Sequence, residues 1–213
     1  MVVKRSYESD HRRRQARQTR QAILAAAAKL FVDPGYAATP VTAIAAEAGV
    51  AVQTVYAVFG GKRRLLSELI DVTITGDDEP VAMSDRPFAA EIRAEPTALA
   101  KLARYARHLV EVQARQADVL IALAGAAAAD PDAAEIWHKN VEDRRQGMLM
   151  FAADLVATGE VADGLDRDRV ADVLWLAMDV RNYDWLVRRR GWRPEQYQRW
   201  YVDTVAGAVL RSR

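Results

Sequence analysis

Few residues in this 213-residue chain are equipped for covalent or metal chemistry. It contains no cysteine, which removes disulfides, thiolate metal sites and cysteine nucleophiles, and favours an intracellular setting. Its three histidines, His11, His108 and His138, have no partners at zinc-ligand spacing. His108 shares a helical face with Lys101, Arg104, Glu111 and Arg115 and is expected on the solvent side, and His138 keeps company with Glu135, Glu142 and Arg145. Gly60-Gly61-Lys62-Arg63 would need Gly at 56 and Ser or Thr at 63 to act as a phosphate loop, and those positions hold Tyr56 and Arg63. The expectation is a protein that is not an enzyme, with no metal and no cofactor.

What remains is binding, and charge says of what. Residues 1–66 hold 11 Lys and Arg against 4 Asp and Glu, a net +7, while residues 67–213 hold 19 against 25, a net −6. The near-neutral total of +1 therefore hides a basic head on an acidic body, the division expected of a DNA-binding domain joined to one that does not bind DNA. The longest apolar run, residues 119–129, falls well short of the roughly 20 residues that span a bilayer. A cytoplasmic protein with no membrane partner is expected.

The elements that must position these residues are helices. Alanine is abundant, β-branched residues are few, and no segment alternates as a strand would. Residues 1–15 read as a basic flexible arm, 16–66 as a DNA-binding domain and 67–213 as a second helical domain. In the head, Ile23, Leu24, Ala27, Leu30 and Phe31 form the stripe of a helix over about 17–32, which Asp33-Pro34-Gly35 stops. Thr39-Pro40 opens a short helix over 40–47, with Thr39 as its cap. Gly49 separates it from another over 52–58, and Lys62 opens a fourth reaching about Thr75. Two short helices joined by a glycine turn make a helix-turn-helix, whose second helix reads the major groove. Beyond the joint at 76–95, further helices are expected at about 96–115, 118–128, 131–158, 167–189 and from Pro194 to Leu210.

Residues 19–66 resemble the N-terminal domain of the TetR family of transcriptional regulators without a gap. The matching residues are Thr19-Arg20, Ile23-Leu24, Ala26-Ala27, Leu30-Phe31, Gly35-Tyr36, Thr39, Val41, Ile44-Ala45, Ala48-Gly49-Val50, Thr54-Val55-Tyr56, Phe59, Lys62 and Leu65-Leu66. The resemblance implies an all-α regulator that binds a near-palindromic operator as a homodimer and, most often as a repressor, is released by a small-molecule inducer. The same head controlled by a partner protein, or by no ligand, is the alternative. It also implies a recognition helix over 52–58, with Gln53 and Thr54 facing the groove and Tyr56 and Lys62 reaching phosphates. Glutamine can pair with adenine N6 and N7, and threonine can touch a thymine methyl. Thr39 and Thr42 are further candidates for phosphate contact. A place in the small core of the head is the lesser alternative for Tyr56, and both roles can coexist. The chain departs from the family at Ala51, where a capping Ser or Thr is usual, and at Ala57 and Val58. Fewer polar groups on this helix put more weight on backbone contacts and on the Arg12, Arg13 and Arg14 run, either a minor-groove arm or a solvated tail.

In the second domain the resemblance implies an inducer cavity and a dimer face. Tyr105, Trp137, Arg144, Met148, Trp175, Asp179 and Asn182 are the candidates for ligand contact. Aromatic and methionine walls with a few polar groups suit a small, mostly apolar molecule, and an arginine pair at 144–145 would suit an acidic group on it. The same Trp and Met residues suit an ordinary core, with the arginines reaching solvent. Val173, Leu176 and Val180, with Tyr197, Tyr201, Val205 and Ala208, follow helical spacing and are expected at a four-helix dimer interface.

Overall fold

The computed structural model describes residues 2–77, 81 and 83–211, and every regular element among them is helical. Ten α-helices follow one another among the described residues: α1 (Val2–Leu30), α2 (Val41–Glu47), α3 (Val52–Phe59), α4 (Lys62–Thr75), α5 (Pro87–Ala94), α6 (Ala98–Ala126), α7 (Pro131–Val156), α8 (Arg167–Ala177), α9 (Val180–Tyr183) and α10 (Pro194–Val209). No single helix among the described residues is long and apolar enough to cross a membrane. The chain divides into two compact units, residues 1–71 with 122–136, and residues 72–121 with 137–213.

The division differs from a simple cut near residue 66. Residues 122–136 join the head, where Arg63 pairs with Glu135 and lies 3.9 Å from Asp132. Residues 2–15 are the start of α1 rather than a separate arm: neither glycine nor proline occurs before Pro34, so nothing in the chain interrupts the helix. Its buried stripe is Ile23, Leu24, Ala26 and Ala27, against Ile44 and Ala45 of α2, Val55 and Phe59 of α3, and Leu65, Leu66, Leu69 and Ile70 of α4. The axes of α2 and α3 turn by 105° across Gly49, within the range of a helix-turn-helix. Gly49 has φ +66° and Gly60, which ends α3, has φ +72°; both are left-handed conformations that a side chain would strain.

The second unit corrects two helix boundaries. The expected break near residue 116 is absent, and α6 runs unbroken with Gln113, Gln116, Ala117 and Leu120 all buried. Conversely, the expected helix 167–189 breaks at Met178-Asp179 without glycine or proline. Asp179 supplies the reason, since its carboxylate accepts from the Arg181 backbone N–H at 2.9 Å and starts a new helix. Asn182 completes the break by donating to the carbonyls of Leu176 at 2.9 Å and Ala177 at 3.2 Å, the last acceptors of α8. After α9 the chain continues as wider π-type turns over Asp184–Arg189.

His108 is not on a solvent face. It stacks on Phe88 of α5 with ring centroids 3.7 Å apart, its Nε2 is buried without a partner in the protein, and Lys101 on the same helix is buried too. Burial, with the Arg115 charge a smaller cause, lowers its pKa to about 4 from the ordinary 6.5. A group whose folded pKa is depressed contributes stability that is complete above the unfolded pKa and is lost as pH falls towards the folded one. The melting temperature should therefore fall as pH is lowered from 6.5 to about 4, and His108→Phe should flatten that part of the profile. A melting series by circular dichroism checks this, and equal slopes in the two proteins would refute it.

Candidate nucleic-acid interface and inner polar cluster

In the head, the inner face of α3 is fixed by Val55 and Phe59, both fully buried. Its outer face therefore presents Gln53, Tyr56 and Ala57 to solvent, with Thr54 half-buried beside them. Tyr56 is 51% exposed and so is not a core tyrosine. Ala51 caps the helix with no side-chain bond, as its chemistry requires. Thr42 is exposed in the first turn of α2, and Arg12, Arg13, Arg14 and Arg17 are exposed on α1.

Thr39 lies elsewhere. Its side chain is buried and its hydroxyl faces the carbonyls of Leu30 at 2.8 Å and Gly35 at 2.7 Å, so it neither caps α2 nor reaches a phosphate. Pro40 occupies the cap position instead. The hydroxyl's single proton is shared between an acceptor left over at the end of α1 and one at the end of the Phe31–Gly35 turn. Lys62 also has an internal partner: its ammonium donates to the carbonyl of Tyr36 at 2.8 Å and stands 4.2 Å above that ring. Burial first, and the charges of Asp130 and Asp132 after it, raise the Tyr36 hydroxyl to a pKa of about 12. Much of the head's positive charge is engaged internally, since Arg20 and Arg64 both pair with Glu68, and Lys29 pairs with Glu47 at 2.7 Å.

The second unit gathers polar groups in its interior. The Arg144 side chain, on α7, is 8% exposed and lies 3.7 Å from Asp179 at the break between α8 and α9. Asp179 is itself held by Arg181 through Nε at 2.8 Å and Nη2 at 3.0 Å. Burial pushes the Asp179 carboxyl up, but the Arg181 hydrogen bonds and the charges of Arg144 and Arg181 outweigh it and leave the pKa below its ordinary value. Gln113 donates to the Met178 carbonyl at 2.6 Å, and the Tyr105 hydroxyl donates to the Met178 sulfur at 3.6 Å. Tyr105 also stacks on Phe151, at 4.8 Å between centroids, and tilts against Tyr201 at 5.7 Å. Burial raises the pKa of Tyr105, Tyr197 and Tyr201 above the ordinary 10, so all three are neutral hydroxyls.

Residues 23–69 match the model of the bacterial regulatory proteins of the tetR family. The N-terminal domain is a TetR-family helix-turn-helix domain. The whole chain has the fold of solved TetR-type regulators, at low sequence identity. A protein from Saccharomonospora viridis, solved in complex with choline, aligns over 91% of this chain and 98% of its own with a TM-score of 0.64 and 20% identity. The ketosteroid transcriptional regulator KstR2 of Mycobacterium tuberculosis covers 91% and 95%, at TM-score 0.60 and 20% identity. SmeT of Stenotrophomonas maltophilia, described as the repressor of the multidrug efflux pump SmeDEF, covers 92% and 93%, at TM-score 0.66 and 17% identity. No curated protein matches the chain.

Against this TetR-type frame, the sequence-derived candidates separate. Tyr105, Met148 and Asp179 are buried in the second unit, and Trp137 lies beside the Arg144 guanidinium, 5.9 Å from its ring centroid. Asn182 is occupied in capping α8, and Arg145, unlike Arg144, is at the surface in a pair with Asp172. Four of the seven dimer candidates need correction: Val180, Tyr197, Tyr201 and Val205 are fully buried within the protomer. Helical spacing identified a face that is covered, but not what covers it. Leu176, 61% exposed, and Ala208 do face outwards, and Val173 is half-buried. Sequence reasoning also passed over Gln113, Gln116 and Asn140, polar residues buried in the interior. The signal was present for the two glutamines, which fall on the stripe that includes Leu102, Leu109, Leu120 and Leu123.

Thr39 gives a sharp test of this assignment. Thr39→Val should destabilise the protein by about 1–3 kcal/mol, because the one hydroxyl donor shared by the Leu30 and Gly35 carbonyls is lost, while Thr39→Ser should recover most of the loss. Denaturant unfolding measures it; weaker DNA binding with unchanged stability would restore a phosphate role.

Proposed function

We propose that the chain is a cytoplasmic, ligand-responsive transcriptional regulator, a repressor that holds a near-palindromic operator as a homodimer and is released by a small molecule. The observation that carries this reading is α3, where Gln53 and Tyr56 stand exposed on a helix anchored from the other side by fully buried Val55 and Phe59. A short helix so anchored offers its polar face to a groove with little freedom to reorient. Gln53 and Thr54 meet base edges, Tyr56 meets a phosphate, and the exposed arginines of α1 add sequence-independent attraction. Lys62 acts first as an internal anchor for Tyr36, and any phosphate contact comes from its remaining donors. Two such heads in a dimer would stand about 34 Å apart, in successive major grooves. Leu176 and Trp185, both large, apolar and exposed on the second unit, together with Ala208, are the surfaces for that dimer.

The solved neighbours support ligand control, since one holds choline and another is a ketosteroid regulator. In this chain the buried polar groups around Arg144 and Asp179 are where a ligand would act, by favouring one of two arrangements of the dimer. A regulator governed by a partner protein would bind operator equally well with every small molecule tested.

Gln53→Ala should weaken binding to the operator, taken from DNA flanking the gene, by roughly 5- to 150-fold, with little change on random duplex, because it removes about 1–3 kcal/mol of base discrimination. Tyr56→Phe should weaken both DNAs alike. Fluorescence anisotropy at fixed salt reads both outcomes. Equal losses on the two DNAs for Gln53→Ala would remove it from the groove.

A further inference from the structure

We propose that the buried guanidinium of Arg144 is the anchor for a small carboxylic acid with an aromatic or apolar body; this rests on the ligand-responsive reading above and names the ligand's chemistry. Arg144 is a cation nine-tenths buried that its own protein satisfies only in part. Its nearest carboxylate, Asp179, is committed to Arg181: Oδ1 accepts from the Arg181 backbone N–H and Nε, and Oδ2 accepts from Nη2. The 3.7 Å from Arg144 Nη2 to Asp179 Oδ2 leaves an ion pair without a hydrogen bond. Nε and Nη1 of Arg144 have no partner in the protein. Two arginines thus share one carboxylate, and the group carries one positive charge in excess.

The surroundings favour an acceptor over a second donor. Tyr197 and Tyr201 have buried hydroxyls without a protein partner, and Trp175 has a buried indole N–H in the same condition. The two tyrosines share the neighbourhood of Arg144: Tyr201 packs on Tyr105 with ring centroids 5.7 Å apart, the Arg144 charge reaches Tyr105, and Tyr197 lies within electrostatic range of both Tyr105 and Asp179. Among the described residues, the buried amide oxygens that lack a donor are Gln116 Oε1 and Asn140 Oδ1, neither of which carries a charge to balance Arg144. Burial is the largest influence on Arg144 and lowers its pKa, opposed by Asp179 and Tyr105. An arginine does not lose its proton in a protein, so that direction registers the cost of an under-compensated charge. A carboxylate supplies the missing charge and accepts from N–H and O–H donors together, in the strong, charge-assisted class of hydrogen bond. The rings of Trp137, Tyr105 and Phe151 suit a flat apolar remainder. A quaternary ammonium such as choline would find aromatic faces here, but it would sit beside a buried cation and face a carboxylate already taken.

The full-length protein, free of DNA, can be titrated by calorimetry with benzoate, 4-phenylbutyrate, 2-naphthoate and octanoate, with the four corresponding primary amides, and with choline. At least one acid should bind, and at least about tenfold more tightly than its amide. Arg144→Met should erase that preference and Arg144→Lys should keep part of it, with circular dichroism confirming that each variant is folded. The acid-to-amide comparison on the unaltered protein stands even if a variant fails to fold. Equal binding of acid and amide, a preference for choline, or no binding by any of the four acids would each overturn the assignment. Gel shifts on the same panel separate the two readings. Release of operator by a neutral compound alone sinks the carboxylate and leaves ligand control intact, whereas an acid that binds without releasing operator supports the site and sinks its regulatory role.

Discussion

One buried carboxylate, that of Asp179, links three helices of the second unit. It starts α9, takes two further hydrogen bonds from Arg181 and lies against the Arg144 cation that α7 carries inwards. A buried charge without a partner costs several kcal/mol, so the positions of α7, α8 and α9 are coupled through this one group. The break between α8 and α9 follows from it, and the break releases the Met178 carbonyl to accept from Gln113. Packing against α10 is set by the same arrangement. Tyr197 meets Tyr183 edge to face at 5.3 Å, and Tyr201 lies against Tyr105, so the aromatic core closes around the polar one. The C-terminus of α10 is then tied down where Ala162 donates to Val209 and Arg211 donates to Glu160.

The head is organised by a different constraint, the need to end a helix early. The last carbonyls of α1 would be stranded where Phe31–Gly35 departs from α-helical geometry, and the Thr39 hydroxyl lies within reach of the Leu30 carbonyl at the end of α1 and of the Gly35 carbonyl at the end of that turn. Tyr36 then packs edge-on against Phe31, and Lys62 closes over Tyr36 from above. The outer face of α3 itself carries few polar side chains, Gln53 and Tyr56 beside Ala57. Under the proposed function, recognition through so spare a surface would draw more on DNA shape and backbone contacts than on a dense set of base-edge hydrogen bonds.

The head was legible in the sequence because its signals are local. Apolar residues at helical spacing, glycines at forced left-handed positions and a proline at a helix start all lie within one or two turns of what they determine. The errors came where a residue answers something distant in the chain. Thr39 looked like a cap by its neighbour Pro40, but its partners are Leu30 and Gly35. His108 looked exposed by the charges on its own helix, yet Phe88 covers it. Tyr197, Tyr201 and Val205 form a real amphipathic stripe, and periodicity says that such a stripe is buried without saying by which partner. Arg144 and Arg145 are adjacent and chemically identical, and only tertiary packing sends one inwards and the other to Asp172.

That difference between neighbouring arginines bears on the energetics of a switch. Reversing a two-state equilibrium from 1:99 to 99:1 requires a differential affinity of about 5.5 kcal/mol. Apolar contacts alone supply this poorly, because a greasy molecule gains similar contacts in any arrangement that encloses it. An unmet buried donor costs about 1–3 kcal/mol, and more when it is charged. Arg144 Nε and Nη1 with the hydroxyls of Tyr197 and Tyr201 make four such groups on α7 and α10. A ligand that satisfies even two or three of them only when these helices keep their present spacing gains a difference of the required size. The polar imperfection of this core is thus the feature that would let a small molecule favour one arrangement of the helices over another, where a fully apolar core would be more stable and indifferent to the ligand.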